Sequence, residues 1–85
     1  MKINYTKQAA EDIAYFKRHD VQVYRRIKKL IEDIIDSPFC GIGKPESLRY
    51  HLTGKWSRRI TKEHRIVYEV RNDEEITVYQ CRYHY

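Results

Sequence analysis

The residues whose types and spacing could do chemistry lie in one basic stretch of the chain. Between residues 44 and 65, Glu46 stands among cationic side chains, namely Lys44, Arg49, Lys55, Arg58, Arg59, Lys62 and Arg65. A carboxylate among cations suits a general base that works beside a bound anion. The structural alternative is that Glu46 forms only a salt bridge with Lys44 or Arg49.

The charge distribution indicates a polyanionic partner. The formal net charge is +5, and the positive excess falls in residues 44–65, whereas the segments on either side are close to balanced. Such a patch is typical of nucleic-acid binding, although a solvated charged face would have the same composition. Because a guanidinium group can hold phosphate bidentately, we expect Arg59 and Arg65 to clamp a phosphate. Further phosphate contacts are expected from Lys44, Arg49 and Arg58.

The C-terminal residues add a proton donor and an aromatic ring. His84 follows directly from a predicted strand, and a protonated imidazole can give its proton to a leaving oxygen. Tyr85 can stack on a base, as aromatic side chains do with single-stranded RNA. The other histidines, His19, His51 and His64, have no metal-ligand spacing and are interpreted as surface or sheet residues. The sequence has no zinc pattern, glycine-rich phosphate loop or Ser/His/Asp set, so no metal or cofactor is expected.

The N-terminal half of the chain predicts a helical hairpin. After an extended segment at Lys2–Tyr5, Thr6 is a candidate N-cap for a helix that reaches about His19. Asp20 can cap a second helix, whose apolar stripe consists of Tyr24, Ile27, Leu30, Ile31 and Ile34. Pro38 ends this helix and begins a glycine-containing loop. A connection this short makes the two helices antiparallel neighbours.

From residue 46 the apolar pattern changes to period two, which predicts strands near residues 47–52, 56–61, 64–70 and 76–83. The predicted fold is α+β: one domain, residues 1–85, with the helical hairpin packed on one face of a small, mainly antiparallel twisted β-sheet.

The register of the central strands follows from the same pattern. Pairing Ile60 with His64 collects the large apolar side chains on the helix-covered face; these are Trp56, Ile60, Ile66 and Tyr68. The same register sets Arg59 directly opposite Arg65 on the other face. Like charges that face each other across two strands destabilise the pairing by roughly 0.2–1 kcal/mol. An anion between the two arginines would offset this repulsion.

Cysteine usage and hydropathy indicate a cytoplasmic protein. Cys40 and Cys81 are isolated and are expected to be free thiols rather than a disulfide. The N-terminus shows no secretory signal, and no apolar run approaches the ~20 residues of a membrane span. No membrane partner is therefore expected.

These residues together offer a carboxylate base, a cationic phosphate site, an imidazole acid and a stacking ring. That set suits attack by a ribose 2′-hydroxyl on the adjacent phosphate.

Three motifs also carry a resemblance to a known family. They are PFCGIGKPE at residues 38–46, WSRRIT followed by EHR within residues 56–65, and RYHY at residues 82–85. With them the chain resembles the Txe/YoeB toxins of the RelE/ParE superfamily of bacterial toxin–antitoxin systems. The similarity covers the whole chain, weakly in the helices and densely from Pro38 onward.

The resemblance implies a RelE-like fold and a ribosome-dependent, metal-independent mRNA endoribonuclease that cleaves in the ribosomal A site and inhibits translation. By the family pattern Glu46 is the general base, Arg65 and Arg59 stabilise the phosphate, His84 is the general acid and Tyr85 orients the substrate. The resemblance further implies a cognate antitoxin that covers the active site, a toxin homodimer, and repression of the operon when the complex binds operator DNA.

One departure from the family and two other functions bear on this reading. Arg49 stands where the family often has Lys, which keeps the charge but changes the contact geometry.

ParE-like proteins share the fold and inhibit DNA gyrase by binding, an action that does not need the set of Glu46, Arg65, His84 and Tyr85. A plain RNA- or ribosome-binding module would need the arginines but neither Glu46 nor His84.

Overall fold

The computed structural model of the chain describes residues 1–83. Its elements are, in chain order, β1 (Lys2–Tyr5), α1 (Lys7–His19), α2 (Val21–Asp36), β2 (Glu46–Ser47), β3 (Trp56–Arg59), β4 (Arg65–Arg71) and β5 (Glu75–Gln80). A 3₁₀ turn at Tyr50–Leu52 lies between β2 and β3.

The helical hairpin and both of its predicted caps are confirmed. The Thr6 hydroxyl accepts a hydrogen bond from the Ala9 N–H at 3.1 Å, and the Asp20 carboxylate accepts one from the Val23 N–H at 3.3 Å. Each cap satisfies an amide that the first helical turn leaves without a partner. Asp20 also ends α1, since its own N–H donates to the Phe16 carbonyl. Within residues 1–83, neither helix is long and apolar enough to cross a membrane.

The sheet has five strands in the order β1-β5-β4-β3-β2. Neighbouring strands are antiparallel except β1, which lies parallel to β5. The predicted α+β fold with a mainly antiparallel sheet is thus confirmed, and the N-terminal extended segment is its edge strand.

The predicted register of β3 and β4 is also confirmed. Trp56 pairs with Tyr68, Arg59 pairs with Arg65, and the Ile60 N–H donates to the His64 carbonyl at 3.0 Å. The apolar side chains of this face pack against the helices in one buried core, which contains Phe16, Ile27, Leu30, Ile34, Ile60, Ile66, Tyr68, Ile76 and Val78. Both helices of residues 1–83 lie on this face, so within the described residues no helix covers the opposite face.

Three predicted strands end earlier than expected, and the one predicted at residues 56–61 stops at Arg59. The strand predicted at residues 47–52 stops at Ser47, because Tyr50 takes a left-handed backbone conformation (φ 59°) and starts the 3₁₀ turn. The strand predicted at residues 76–83 stops at Gln80, because the next amide, that of Cys81, donates to the Asp12 carboxylate at 3.0 Å instead of to a neighbouring strand.

The prediction that Arg58 binds phosphate is wrong. Strand alternation places Arg58 on the helix-covered face, and its side chain is fully buried. A guanidinium group has five N–H donors, and all five are used: two contact Asp33 and the Ile42 carbonyl, two contact the carbonyls of Ser37 and Cys40, and Nε donates to the Tyr68 hydroxyl. No donor is left for a ligand.

Arg58 therefore fixes the loop that connects α2 to β2. The Tyr68 hydroxyl adds a hydrogen bond to the Pro38 carbonyl at 2.6 Å, and the Arg59 N–H donates to the Gly43 carbonyl at 2.7 Å. Gly41 (φ 123°) lies so close to the Asp33 carboxylate and the Arg58 guanidinium that a Cβ atom there would collide with the carboxylate. The glycine is required both by its backbone conformation and by this close approach.

Removing Arg58 should cost far more stability than removing its neighbour. We expect Arg58→Ala to lower the free energy of unfolding by about 3–5 kcal/mol, because it removes the cation that pairs with Asp33 and leaves three carbonyls and the Tyr68 hydroxyl without the guanidinium donors. Arg59→Ala, at an exposed position on the same strand, should change it by no more than about 0.5 kcal/mol. Urea denaturation measures both, and equal losses would contradict the assignment.

Acid should weaken the same contact. The Arg58 hydrogen bond lowers the pKa of Asp33 below its ordinary 3.8. A carboxylate with a depressed folded-state pKa stabilises the fold above its ordinary pKa, and this contribution is lost as the pH falls through the folded-state value. We expect the stability gap between wild type and Asp33→Asn to shrink as the pH falls from 7 to about 2.5. If urea denaturation shows a stability difference that stays constant over this pH range, the charge of Asp33 does not stabilise the fold.

Candidate active site

Glu46 is placed by the loop that Arg58 holds. It is the first residue of β2 and pairs with Ser57 of β3, so strand alternation puts its side chain on the open face of the sheet, with Arg59. The Glu46 side chain is 64% exposed. A carboxylate in this position can reach a ligand that lies on the open face.

The two predicted clamp residues come together with Glu46. Arg59 and Arg65 are cross-strand partners on the open face; Arg59 is exposed, whereas the Arg65 side chain is only 18% exposed. Arg65 Nη1 lies 3.9 Å from Glu46 Oε2. At this distance, and with the carboxylate largely in solvent, the pair contributes at most about 1 kcal/mol, so a ligand anion can replace Glu46 at the guanidinium with little loss of stability.

Within residues 1–83, Glu46 forms an ion pair with Arg65 rather than with Lys44 or Arg49. The alternative that the sequence left open, a salt bridge from Glu46 to Lys44 or Arg49, is therefore not the one formed within the described residues. Lys44 and Arg49 are both exposed and lie on either side of β2, one before it in the loop and one after it.

Another carboxylate of the open face is already engaged. Glu69 accepts a hydrogen bond from the Tyr79 hydroxyl at 2.6 Å and lies 3.5 Å from the Arg71 guanidinium. The Tyr79 hydrogen bond holds the pKa of Glu69 below its usual value. Of these two carboxylates, Glu46 is the one with exposed oxygens close to the facing arginines.

A surface groove of about 450 Å³ begins at Glu46 and continues along the 3₁₀ turn; its lining is Glu46, Ser47, Leu48, Arg49, Tyr50, His51 and Leu52. The Tyr50 side chain is 87% exposed on a left-handed backbone (φ 59°), which is uncommon for a bulky residue. Sequence reasoning missed Tyr50, because the period-two pattern put it in a strand with Leu48 and Leu52. An exposed ring in this groove can stack on a planar ligand.

The C-terminal prediction lies partly outside the described residues. His84 and Tyr85, predicted as general acid and stacking ring, are not described. The last described residue, Tyr83, lies beside Arg65, since its carbonyl accepts a hydrogen bond from the Arg65 N–H at 3.1 Å. The chain therefore leaves the described region next to the Glu46–Arg65 pair.

His64 is a further residue that the sequence did not single out. Its Nδ1 accepts a hydrogen bond from the Tyr83 N–H at 2.8 Å, and its ring lies edge-on to Phe16 at 4.9 Å between centroids. The interpretation of His64 as an ordinary surface or sheet residue missed this contact. Spacing in sequence gave no signal for it, because the partner is 19 residues away.

The two cysteines are free thiols, as predicted. Cys40 is exposed, whereas Cys81 is fully buried, and burial raises the pKa of the Cys81 thiol. Since only the thiolate is a good nucleophile, Cys81 belongs to the core. Within residues 1–83, His, Cys, Asp and Glu side chains do not gather in groups of three or more that could hold a metal ion.

Comparison with known proteins identifies the class of this fold and site. A solved structure of a YoeB/ParE toxin from Agrobacterium tumefaciens superposes with a TM-score of 0.97, at 42% sequence identity and with full coverage of both chains. A YoeB dimer and a YoeB–YefM toxin–antitoxin complex from Staphylococcus aureus superpose with TM-scores of 0.91 and 0.90, at 43% and 42% identity, covering 100% of this chain and 98% of theirs. The fold is that of a toxin from a type II toxin–antitoxin system.

Sequence comparison identifies the family. The toxin YoeB of Escherichia coli K12 is 44% identical over 85 residues, the full length of both chains. The profile described as YoeB-like toxin of bacterial type II toxin-antitoxin system matches residues 5–85. The chain belongs to this family of YoeB-like toxins.

If Arg59 and Arg65 form an anion site, inorganic phosphate should stabilise the protein through them. At about ten times its Kd, phosphate should add about 1.4 kcal/mol, which raises the melting temperature by roughly 6–11 °C for a domain of this size. Arg59→Ala and Arg65→Ala should each remove most of this rise at matched ionic strength. Arg71→Ala, which removes a guanidinium bound to Glu69, should retain it. A rise that survives both clamp variants would place the anion elsewhere.

Proposed function

We propose that this toxin is a metal-independent endoribonuclease that cleaves messenger RNA in the ribosomal A site and thereby inhibits translation. The observation that carries the proposal is the convergence of Glu46, Arg59 and Arg65 on one exposed face, beside the point where the C-terminal tail leaves Tyr83. Membership of the YoeB-like family supports it.

The first step is attack within the RNA itself. Glu46 takes the proton of a ribose 2′-hydroxyl, and the 2′-oxygen forms a bond to the adjacent phosphorus. Negative charge develops on the non-bridging phosphate oxygens, where Arg65 and Arg59 stabilise it. Donors placed before the reaction need no reorganisation when that charge appears. The like charges of the two arginines, which repel each other in the free protein, are then opposed by the phosphate.

The second half of the reaction is departure of the 5′-oxygen. His84 gives its proton to this leaving oxygen as the phosphorus–oxygen bond breaks, while Tyr85 orients the substrate. The products are a 2′,3′-cyclic phosphate on the upstream fragment and a 5′-hydroxyl on the downstream fragment. Lys44 and Arg49 hold neighbouring phosphates from either side of β2, and Tyr50 stacks on a base in the groove beside Glu46.

The ribosome supplies the positioning that so small a surface site lacks. Cleavage requires the 2′-hydroxyl, the phosphorus and the leaving oxygen to be roughly in line, and holding reactants in such an arrangement contributes a large part of a rate enhancement. In the part of the chain that the structure describes, Glu46 is 64% exposed and lies at one end of a surface groove. Messenger RNA held on the ribosome arrives already oriented.

Solved structures of relatives support a proposal for the protein partners. The Staphylococcus aureus proteins include a YoeB dimer and a YoeB–YefM complex. We propose that this toxin likewise forms a homodimer in the cytoplasm and is neutralised by a cognate antitoxin that covers Glu46 and Arg65. The complex would bind operator DNA through the antitoxin and repress its own operon.

Primer extension tests the ribonuclease. Messenger RNA is incubated with purified, antitoxin-free toxin, with and without programmed ribosomes. Cuts are expected only with ribosomes and at the codon in the A site. No cleavage in either sample by a folded protein would sink the proposal and favour a toxin that acts by binding a target such as DNA gyrase.

Loss of the base or the acid should slow cleavage. Glu46→Gln and His84→Ala are each expected to reduce the single-turnover rate by about 10²–10⁴-fold while toxin binding to the ribosome is largely kept. The matched control is Glu74→Gln, which removes an exposed carboxylate in the turn between β4 and β5. If Glu46→Gln and His84→Ala both cleave at the wild-type rate, their assigned roles are wrong.

A further inference from the structure

Tyr83 is held at both of its backbone polar groups by two consecutive residues. Its N–H donates to His64 Nδ1 at 2.8 Å, and its carbonyl accepts from the Arg65 N–H at 3.1 Å. One of these contacts comes from a side chain, so a substitution can remove it without changing the backbone pairing.

The imidazole of His64 is itself fixed in place. Its side chain is only 12% exposed, its ring lies edge-on to Phe16 in the core, and the Tyr83 ring lies 5.5 Å from it on the tail side. The backbone N–H of His64 donates to the Thr61 hydroxyl at 3.1 Å. The acceptor at Nδ1 is therefore presented in one orientation.

The hydrogen bond defines the form of the imidazole. A nitrogen that accepts from an N–H carries a lone pair, so the ring proton is on Nε2, which lies 3.5 Å from a Glu63 carboxylate oxygen. The protonated ring has two donors and no acceptor and cannot make the contact with Tyr83. His64 acts here as the neutral tautomer.

The chain needs this contact because it bends sharply at Tyr83. The residue has φ 62°, a left-handed conformation that is unfavourable for a bulky side chain and persists only where surrounding contacts enforce it. The Arg82 guanidinium adds packing, with its central carbon 4.7 Å from the centroid of the Tyr83 ring and 3.6 Å from that of Tyr15.

We propose that His64 is a positioning residue that locks the turn at Tyr83, the residue that precedes the proposed general acid and whose carbonyl bonds to Arg65. The consequence for catalysis rests on the proposed function, since it assumes that His84 is the general acid. The lock itself does not depend on that function.

Three variants separate the acceptor from the bulk of the ring. His64→Asn keeps an oxygen close to the position of Nδ1, His64→Gln moves the polar group toward the position of Nε2, and His64→Leu removes it. A misplaced acid slows the chemical step more than binding, so we expect His64→Leu to lower kcat by about 10²-fold with little change in KM. His64→Gln should resemble His64→Leu, whereas His64→Asn should recover at least a tenfold part of the loss.

Hydrogen exchange of the Tyr83 amide tests the lock without any catalysis. The amide should be protected in wild type and His64→Asn and exchange rapidly in His64→Leu and His64→Gln. The ¹⁵N shifts of His64 should report the tautomer protonated at Nε2. If His64→Leu does not fold, wild type and His64→Gln provide the comparison.

The outcomes distinguish this inference from the proposed function. Wild-type rates in His64→Leu, equal defects in His64→Asn and His64→Leu, or an unprotected Tyr83 amide in wild type would each overturn the positioning role. If wild type does not cleave RNA even with ribosomes, the proposed function fails, and Tyr83 protection that depends on His64 still supports the lock.

Discussion

The guanidinium of Arg58 is removed from water and satisfied by groups from three parts of the chain: Asp33 on α2, the carbonyls of the following loop, and Tyr68 on β4. A buried charge costs several kcal/mol unless geometry and hydrogen bonds compensate for it. Because the carbonyls of Ser37, Cys40 and Ile42 all reach one guanidinium, satisfying Arg58 constrains the path of the loop. The position of Glu46 follows from that path.

Two consecutive arginines consequently have opposite roles. Strand alternation turns Arg58 into the core and Arg59 toward solvent, and the backbone of Arg59 adds a hydrogen bond to Gly43 of the same loop. The loop that leads to Glu46 is thus joined to β3 by the side chain of Arg58 and by the backbone of Arg59. A site built on a sheet and a fixed loop keeps its geometry without closing around its ligand.

Arg65 is the place where three segments meet on the open face. Glu46 of β2 reaches its side chain, Arg59 of β3 lies opposite, and Tyr83 of the tail bonds its N–H. The repulsion between the facing arginines is tolerable because the apolar face behind them fixes the register. The helix-covered face carries the main apolar core, and the proposed phosphate site lies on the other face.

The sequence by itself determined what depends on neighbours along the chain: the caps at Thr6 and Asp20, the period-two strands, and the register that sets Arg59 opposite Arg65. The sequence was interpreted as giving Arg58 a phosphate contact; its partners lie 10–25 residues away, so only the tertiary structure revealed a buried cation. The contact between His64 and Tyr83 likewise joins residues distant in sequence, and only the tertiary structure revealed it. Capping and periodicity act between residues a few positions apart and can be read locally, whereas the satisfaction of a buried polar group depends on which distant segments the fold brings to it.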